Sequence, residues 1–291
     1  MTAEDDLYSF ETPDEALQYL RYAGMLDDDV LDVGEAALAL ALVFLPGVHI
    51  DRYRQHLARI KNDVRETWRH RLDAGAKDTA ALRAGVLRTV LHDRLEYKGD
   101  NANYDDLENG NMIRVIERRR GLPVALGLLY LIVGHALGWQ VEGLNFPGHF
   151  LVRLEHEGER LILDPFAGGE EKDAAQLRQL LKSIAGKKAE LAHEYYETVT
   201  SRDALIRLQN NLKARLIETE EYAQAILVIE TMEALGPGEY RTLFDKAVLY
   251  VKVGQHKQAL TALDDYIAKN PNAQDQQYAK LLAAEIRATF E

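Results

Sequence analysis

Asn145-Phe146-Pro147-Gly148-His149-Phe150-Leu151, followed shortly by Leu163-Asp164-Pro165-Phe166, is the stretch that decides the fold of this chain. Around it the apolar pattern has the period of strands. Val141 to Phe146 and Phe150 to Leu154 read as extended, His156-Glu157-Gly158-Glu159 as a hairpin turn, and Arg160-Leu161-Ile162-Leu163 as the returning strand, closed by Asp164-Pro165-Phe166. A turn centred near Glu157 makes paired positions sum to roughly 314, which sets His149 across the ladder from Asp164 or Pro165. A carboxylate beside an imidazole fixes its tautomer and raises its basicity, the arrangement that activates a nucleophile. The plainer alternative is a histidine bonded within the sheet, with Asp164 closing a turn before Pro165.

Upstream the period becomes helical. Thr12-Pro13-Asp14-Glu15 carries the cap, proline and acids of a helix start. Ala36 to Phe44 is apolar nearly all round and stops at Pro46-Gly47. Between Asp51 and Leu72 the residues Tyr53, Leu57, Ile60, Val64 and Trp68 step by three or four, and Ala80 to Leu95 repeats the habit. Lys98 to Tyr104 is rich in turn residues. Helices are expected from Met112 to Arg119 and from Pro123 to Leu137, the second with Gly127, Gly134 and Gly138 at near-helical spacing for close packing. Beyond residue 205 two segments match at a shift of about 34 residues, the period of tetratricopeptide repeats. Ala225 pairs with Ala259, Ile229 with Leu263, and Pro237 with Pro271; Glu220 stands where the second copy has the turn residue Gly254. Tyr222, Tyr250 and Tyr266 read as repeat core. The expected organisation is a helical region over 1–97, a core over 98–190, and two repeats with a capping helix over 195–291. The fold class is α+β, mostly helical, with a small antiparallel sheet.

Composition narrows the function. A net charge of −12 argues against nucleic acid as partner, because phosphate neutralisation needs clustered cations. The absence of cysteine excludes disulfides, thiolate metal sites and cysteine catalysis, and suits a reducing compartment. The acidic start MTAEDDLYSF lacks the basic and apolar regions of an export signal, and Val124 to Trp139 is short for a membrane span; a cytoplasmic, non-membrane protein is expected. No cofactor is implied, since neither the Walker lysine motif nor a dinucleotide glycine fingerprint occurs. A metal would need a third ligand such as His135, Glu142 or His156, whose spacing matches no ligand pattern, and none is expected. Arg118-Arg119-Arg120 precedes a helix start, as an anion site would, but complements equally well the end of the preceding helix and the acids Glu108 and Glu117.

Taken together, Arg119 to Leu126, Asn145 to Leu151, Leu163 to Phe166 and Tyr104-Asp105-Asp106-Leu107-Glu108-Asn109 resemble the transglutaminase-like superfamily. The closer resemblance is to the bacterial SirB-type family, which joins a transglutaminase-like core to tetratricopeptide repeats, and it covers roughly residues 35 to 291. In that superfamily a cysteine at the start of the core helix attacks an acyl group, a strand histidine is its base and an aspartate on the next strand orients the histidine. By position the resemblance implies His149 and Asp164 for the last two roles. Counted from the helix end at Leu137-Gly138, the nucleophile slot falls on Pro123, Val124 and Ala125, none of which can attack. No Ser, Thr or Cys occurs from Val90 to Lys182. The expectation is a non-catalytic regulatory or protein-binding module, with a protein or peptide partner on the helical repeats or a homodimer contact there. The alternative is a hydrolase or acyl-transfer enzyme using His149 and Asp164 with another nucleophile or an activated water.

Overall fold

A computed structural model describes residues 10–290; most of the acidic N-terminal stretch discussed above lies outside them. The described chain forms two compact units, one of residues 10–19 and 26–208, the other of residues 20–25 and 209–290.

Helix α1 (Pro13–Ala23) begins in the first unit and its last residues belong to the second; at its start Thr12 and Glu15 cap each other reciprocally, the Glu15 amide donating to Thr12 Oγ1 and the Thr12 amide to Glu15 Oε2. Helix α2 (Val33–Leu42) is buried over nearly its whole circumference, as an all-apolar sequence requires, and is capped by the Asp32 carboxylate. Helix α3 (Asp51–Asp73) buries Tyr53, Leu57, Ile60 and Val64 as a stripe and leaves its charges outside. The helix expected from Ala80 to Leu95 instead changes pitch: α4 (Ala80–Arg88) passes into a π-helical turn over Thr89–Arg94, which re-aims His92 inward.

Strand β1 (Lys98–Gly99), α5 (Met112–Arg118), the parallel partner strand β2 (Arg120–Gly121) and α6 (Pro123–Leu137) follow. The main sheet is antiparallel, in the order β6 (Glu170–Glu171), β5 (Glu159–Asp164), β4 (Val152–His156), β3 (Gln140–Leu144), β7 (Thr198–Val199). Two of the three glycines of α6 make the close contact expected of them. A Cβ on Gly134 would fall 2.6 Å from Val141 of β3, and one on Gly127 2.4 Å from the Phe150 ring. Gly138 does something else: with φ +67 and open space around it, it is the left-handed cap that ends the helix.

The hairpin forms as expected around Glu157-Gly158, both at positive φ, but its register lies one residue out, with Val152 opposite Leu163 and His156 opposite Glu159. The ladder also begins later. Pro147 and Gly148, the latter at φ +66, break the strand, so His149 belongs to the connection between β3 and β4 and reaches Asp164 across the end of the sheet.

Helix α7 (Ala174–Ala185) follows β6 in the first unit; α8 (Ser201–Glu218) starts in the first unit and runs into the second, where it is followed by α9 (Tyr222–Leu235), α10 (Arg241–Lys252), α11 (His256–Lys269) and α12 (Ala273–Phe290). Helices α9 and α11 begin at equivalent repeat positions, and Ala225 and Ala259 are fully buried. Glu220 adopts φ +62 and Gly254 φ +75, so the two repeats share one turn conformation although only one has the glycine. Tyr266 is core; Tyr250 is half-buried, packing on the core while part of it lines an open groove.

Candidate functional site

His149 and Asp164 are brought together. His149 Nε2 lies 2.9 Å from Asp164 Oδ1, and their side chains are only 10% and 5% exposed. The same oxygen accepts the main-chain amides of Phe166 (3.1 Å) and Ala167 (3.2 Å), because Pro165 turns the chain back over the end of β5. With the carboxylate accepting, Nε2 carries the proton and Nδ1, on the other side of the ring, is left as the basic nitrogen. The ring is fixed sterically as well, with Phe166 edge-on at 5.9 Å between centroids.

Three contacts place the start of α6 beside this pair. The Phe166 ring occupies the space of a Cβ on Gly99, at 2.5 Å; Gly99 pairs with Gly121, two residues before α6; and Phe150, next to His149, fills the space left by Gly127 in the second turn of the helix. The Tyr104–Asn109 stretch closes the same corner. Asn109, fully buried, donates from Nδ2 to the Asn103 carbonyl and accepts the Leu122 amide, while Tyr104 stands edge-on to Phe166 at 5.8 Å. Pro123, Val124 and Ala125 form the first turn of α6 and are buried.

Three participants were not legible in the sequence. Arg207, in the second turn of the helix over Ser201–Glu218 (α8), donates to the carbonyls of Phe146 and His149, each at 2.7 Å, and so holds both ends of the loop that presents the imidazole. Burial lowers its pKa from the usual arginine value. His92 and Tyr130 form a second buried pair on the Asp164 side. His92 Nδ1 donates to the Tyr97 carbonyl at 2.6 Å, so Nε2 accepts the Tyr130 hydroxyl at 2.8 Å. Gly169, at φ +74, has no room for a Cβ, which would fall 2.3 Å from that hydroxyl. Burial and the nearby Asp164 charge push the Tyr130 phenol far above its ordinary pKa, and burial lowers that of His92. The Tyr130 hydroxyl is thus held neutral and engaged with His92.

The other singled-out residues lie apart. His135 ends α6, Glu142 pairs with Arg153 at 2.7 Å, and His156 faces Asp78 at 3.6 Å. Among the described residues no three His, Asp or Glu side chains are grouped to hold a metal ion. In the arginine run Arg118 reaches Asp100, Asp106 and Glu108, as the helix-end reading expects of Glu108. Glu117 is instead bound by Arg52, Arg114 and Tyr53. Arg119 turns inward at φ +57 to donate to His56 Nε2 and the Tyr97 hydroxyl. No helix among the described residues is long and apolar enough to cross a membrane.

Comparison with known proteins supports the two-part organisation of a transglutaminase-like core followed by repeats. The sequence profile of the transglutaminase-like superfamily matches residues 51–210 and that of a tetratricopeptide repeat matches residues 212–284. A UPF0162 protein of Vibrio cholerae is 29% identical over 263 residues, spanning 90% of this chain and 94% of its own. Protein SirB1 of Salmonella typhimurium is 27% identical over 159 residues, 54% of this chain and 59% of its own. F-box only protein 21 of Mus musculus is 43% identical over 81 residues, 28% of this chain and 13% of its own. The chain therefore belongs to the transglutaminase-like superfamily, with tetratricopeptide repeats following the core and bacterial relatives named SirB1 and UPF0162.

Proposed function

We propose that this protein performs no covalent acyl transfer and acts as a regulatory binding module, engaging a protein or peptide partner through its helical repeats. The observation that carries the reading is the first turn of α6, where the buried side chains of Pro123, Val124 and Ala125 offer no nucleophile beside an ordered His149/Asp164 pair. A catalytic base without a group to activate is a retired feature, and here it holds the β3–β4 loop to the end of β5. The repeats suit partner recognition because stacked helix pairs present a continuous surface. A chain without cysteine suits the reducing cytoplasm.

The geometry also favours a second reading. Asp164 keeps Nε2 protonated and leaves Nδ1 basic, the state needed to activate a water for hydrolysis. A binding comparison separates the two. On the first reading, partner capture is lost when exposed repeat residues are changed and is unaffected by His149→Ala. Unaltered capture by the repeat variants, together with a His149-dependent hydrolysis, replaces it with the second. Concentration-dependent sedimentation of the purified protein distinguishes a homodimer contact from a foreign partner.

A further inference from the structure

The repeat unit carries an open groove of about 540 Å³ between the end of α9, one face of α10 and the outward side of α11. Tyr240, Leu243 and Tyr250 line it from α10 and the residue before it. From Tyr240 to Tyr250 the axial length is about 15 Å, some three helical turns. Several charges of the groove are already matched. Lys246 is held by Glu233 at 2.7 Å, with Glu230 at 3.9 Å, and Glu239 is tied to Arg241.

Lys257 and Lys269, exposed at opposite ends of α11, have no ion-pair partner among the described residues; Asp265 is the unmatched acid between them. A smaller hollow of about 400 Å³ shares Glu233, Pro237 and Lys246 with the groove and extends it to Arg21 and Met25. Arg21 likewise has no carboxylate partner among the described residues, and Met25 is 76% exposed, a flexible apolar side chain at one end of an aromatic-lined trough. Unmatched cations thus outnumber unmatched acids along this groove, in a chain whose net charge is −12.

We propose that this groove receives an acidic amphipathic helix of a protein partner, its apolar stripe on Tyr240, Leu243 and Tyr250 and its carboxylates against Lys257, Lys269 and Arg21. The walls are helices, the trough has the length of a short helix, and an apolar stripe between carboxylates matches both its lining and its rim. The proposal rests on the partner-binding reading and assigns it a face and a partner chemistry. The basic rim would also disfavour basic segments, which the protein's overall charge would otherwise attract.

The test uses the full chain and two fluorescein-labelled synthetic helices of about fifteen residues, roughly 22 Å long, which share one leucine stripe and carry either glutamate or lysine elsewhere. Fluorescence anisotropy is expected to show the glutamate peptide binding more tightly, with affinity falling as salt rises. The double variant Lys257→Glu/Lys269→Glu should weaken that binding by about tenfold or more; both side chains are exposed, so the fold survives the change. Tyr250→Ala, checked by thermal unfolding, should weaken both peptides. Equal binding of the two peptides, no binding of the glutamate peptide, or undiminished binding by the double variant overturns the proposal. If a natural partner is still captured through other repeat residues by the double variant, the groove assignment fails while the partner-binding reading stands.

Discussion

At the scale of single residues, Asp164 holds more of the structure than any other polar side chain of the candidate site. One of its oxygens accepts the His149 ring and two main-chain amides inside the protein. Asp164→Ala leaves those donors unpaired and is expected to cost about 2–3 kcal/mol, measured by denaturant unfolding. His149→Ala removes one of the three donors and leaves the Asp164 turn intact, so it should cost less. His56 makes the pH prediction. Burial, with Arg119 and Arg59 nearby, lowers its pKa from 6.5 to about 4. The unfolded chain therefore binds this proton at a higher pH than the folded one. Its contribution to stability is present above pH 6.5 and is lost as pH falls from 6.5 toward about 4. His92, also lowered by burial, acts with the same sign. His56→Gln keeps an acceptor for Arg119 and removes the titration, so urea midpoints measured across that window should fall less steeply with acid than those of the parent.

Among the elements, α6 shows how one residue type serves two purposes within fifteen positions. Gly127→Ala gains helix propensity but drives a methyl group into the buried Phe150 ring, and overpacking is expected to win, with a loss of about 1–3 kcal/mol in chemical denaturation. The turn between α8 and α9 gives the opposite case. Glu220 sits at φ +62 where its repeat counterpart is glycine. Glu220→Gly relieves the left-handed strain at some entropic cost in the unfolded chain and should raise stability by about 0.5–1 kcal/mol in thermal unfolding. These positions also show what the sequence could and could not reveal. The apolar period set helix α3 within a residue of its observed end, and the Pro123 and Gly138 boundaries bracketed α6, because caps and periods are local signals. The His149/Asp164 contact was legible too, through the hairpin turn, although the register was one residue out and the strand shorter once Pro147 and Gly148 interrupted it. The π turn that points His92 at Tyr130 left no such trace: it depends on packing between segments distant in the chain. Arg207 was hidden for the same reason, since its partners are main-chain carbonyls that any sequence offers.

For the whole molecule, each unit has its own chemistry. The first keeps an oriented imidazole at the end of a sheet with an apolar helix start beside it. The second has an aromatic groove with unmatched cations on its rim. The proposed binding of an acidic helix uses residues of the second unit alone, so it can be tested without altering the His149/Asp164 pair of the first. The proposed function requires that no covalent acyl-protein forms. Its most direct test is intact-mass spectrometry of the purified full chain after incubation with activated acyl thioesters and glutamine-containing peptides, alongside His149→Ala. An unchanged mass is expected for both proteins, with no His149-dependent loss of donor. A mass increase equal to the acyl group, mapped to a residue of the first unit and absent from His149→Ala, would contradict it.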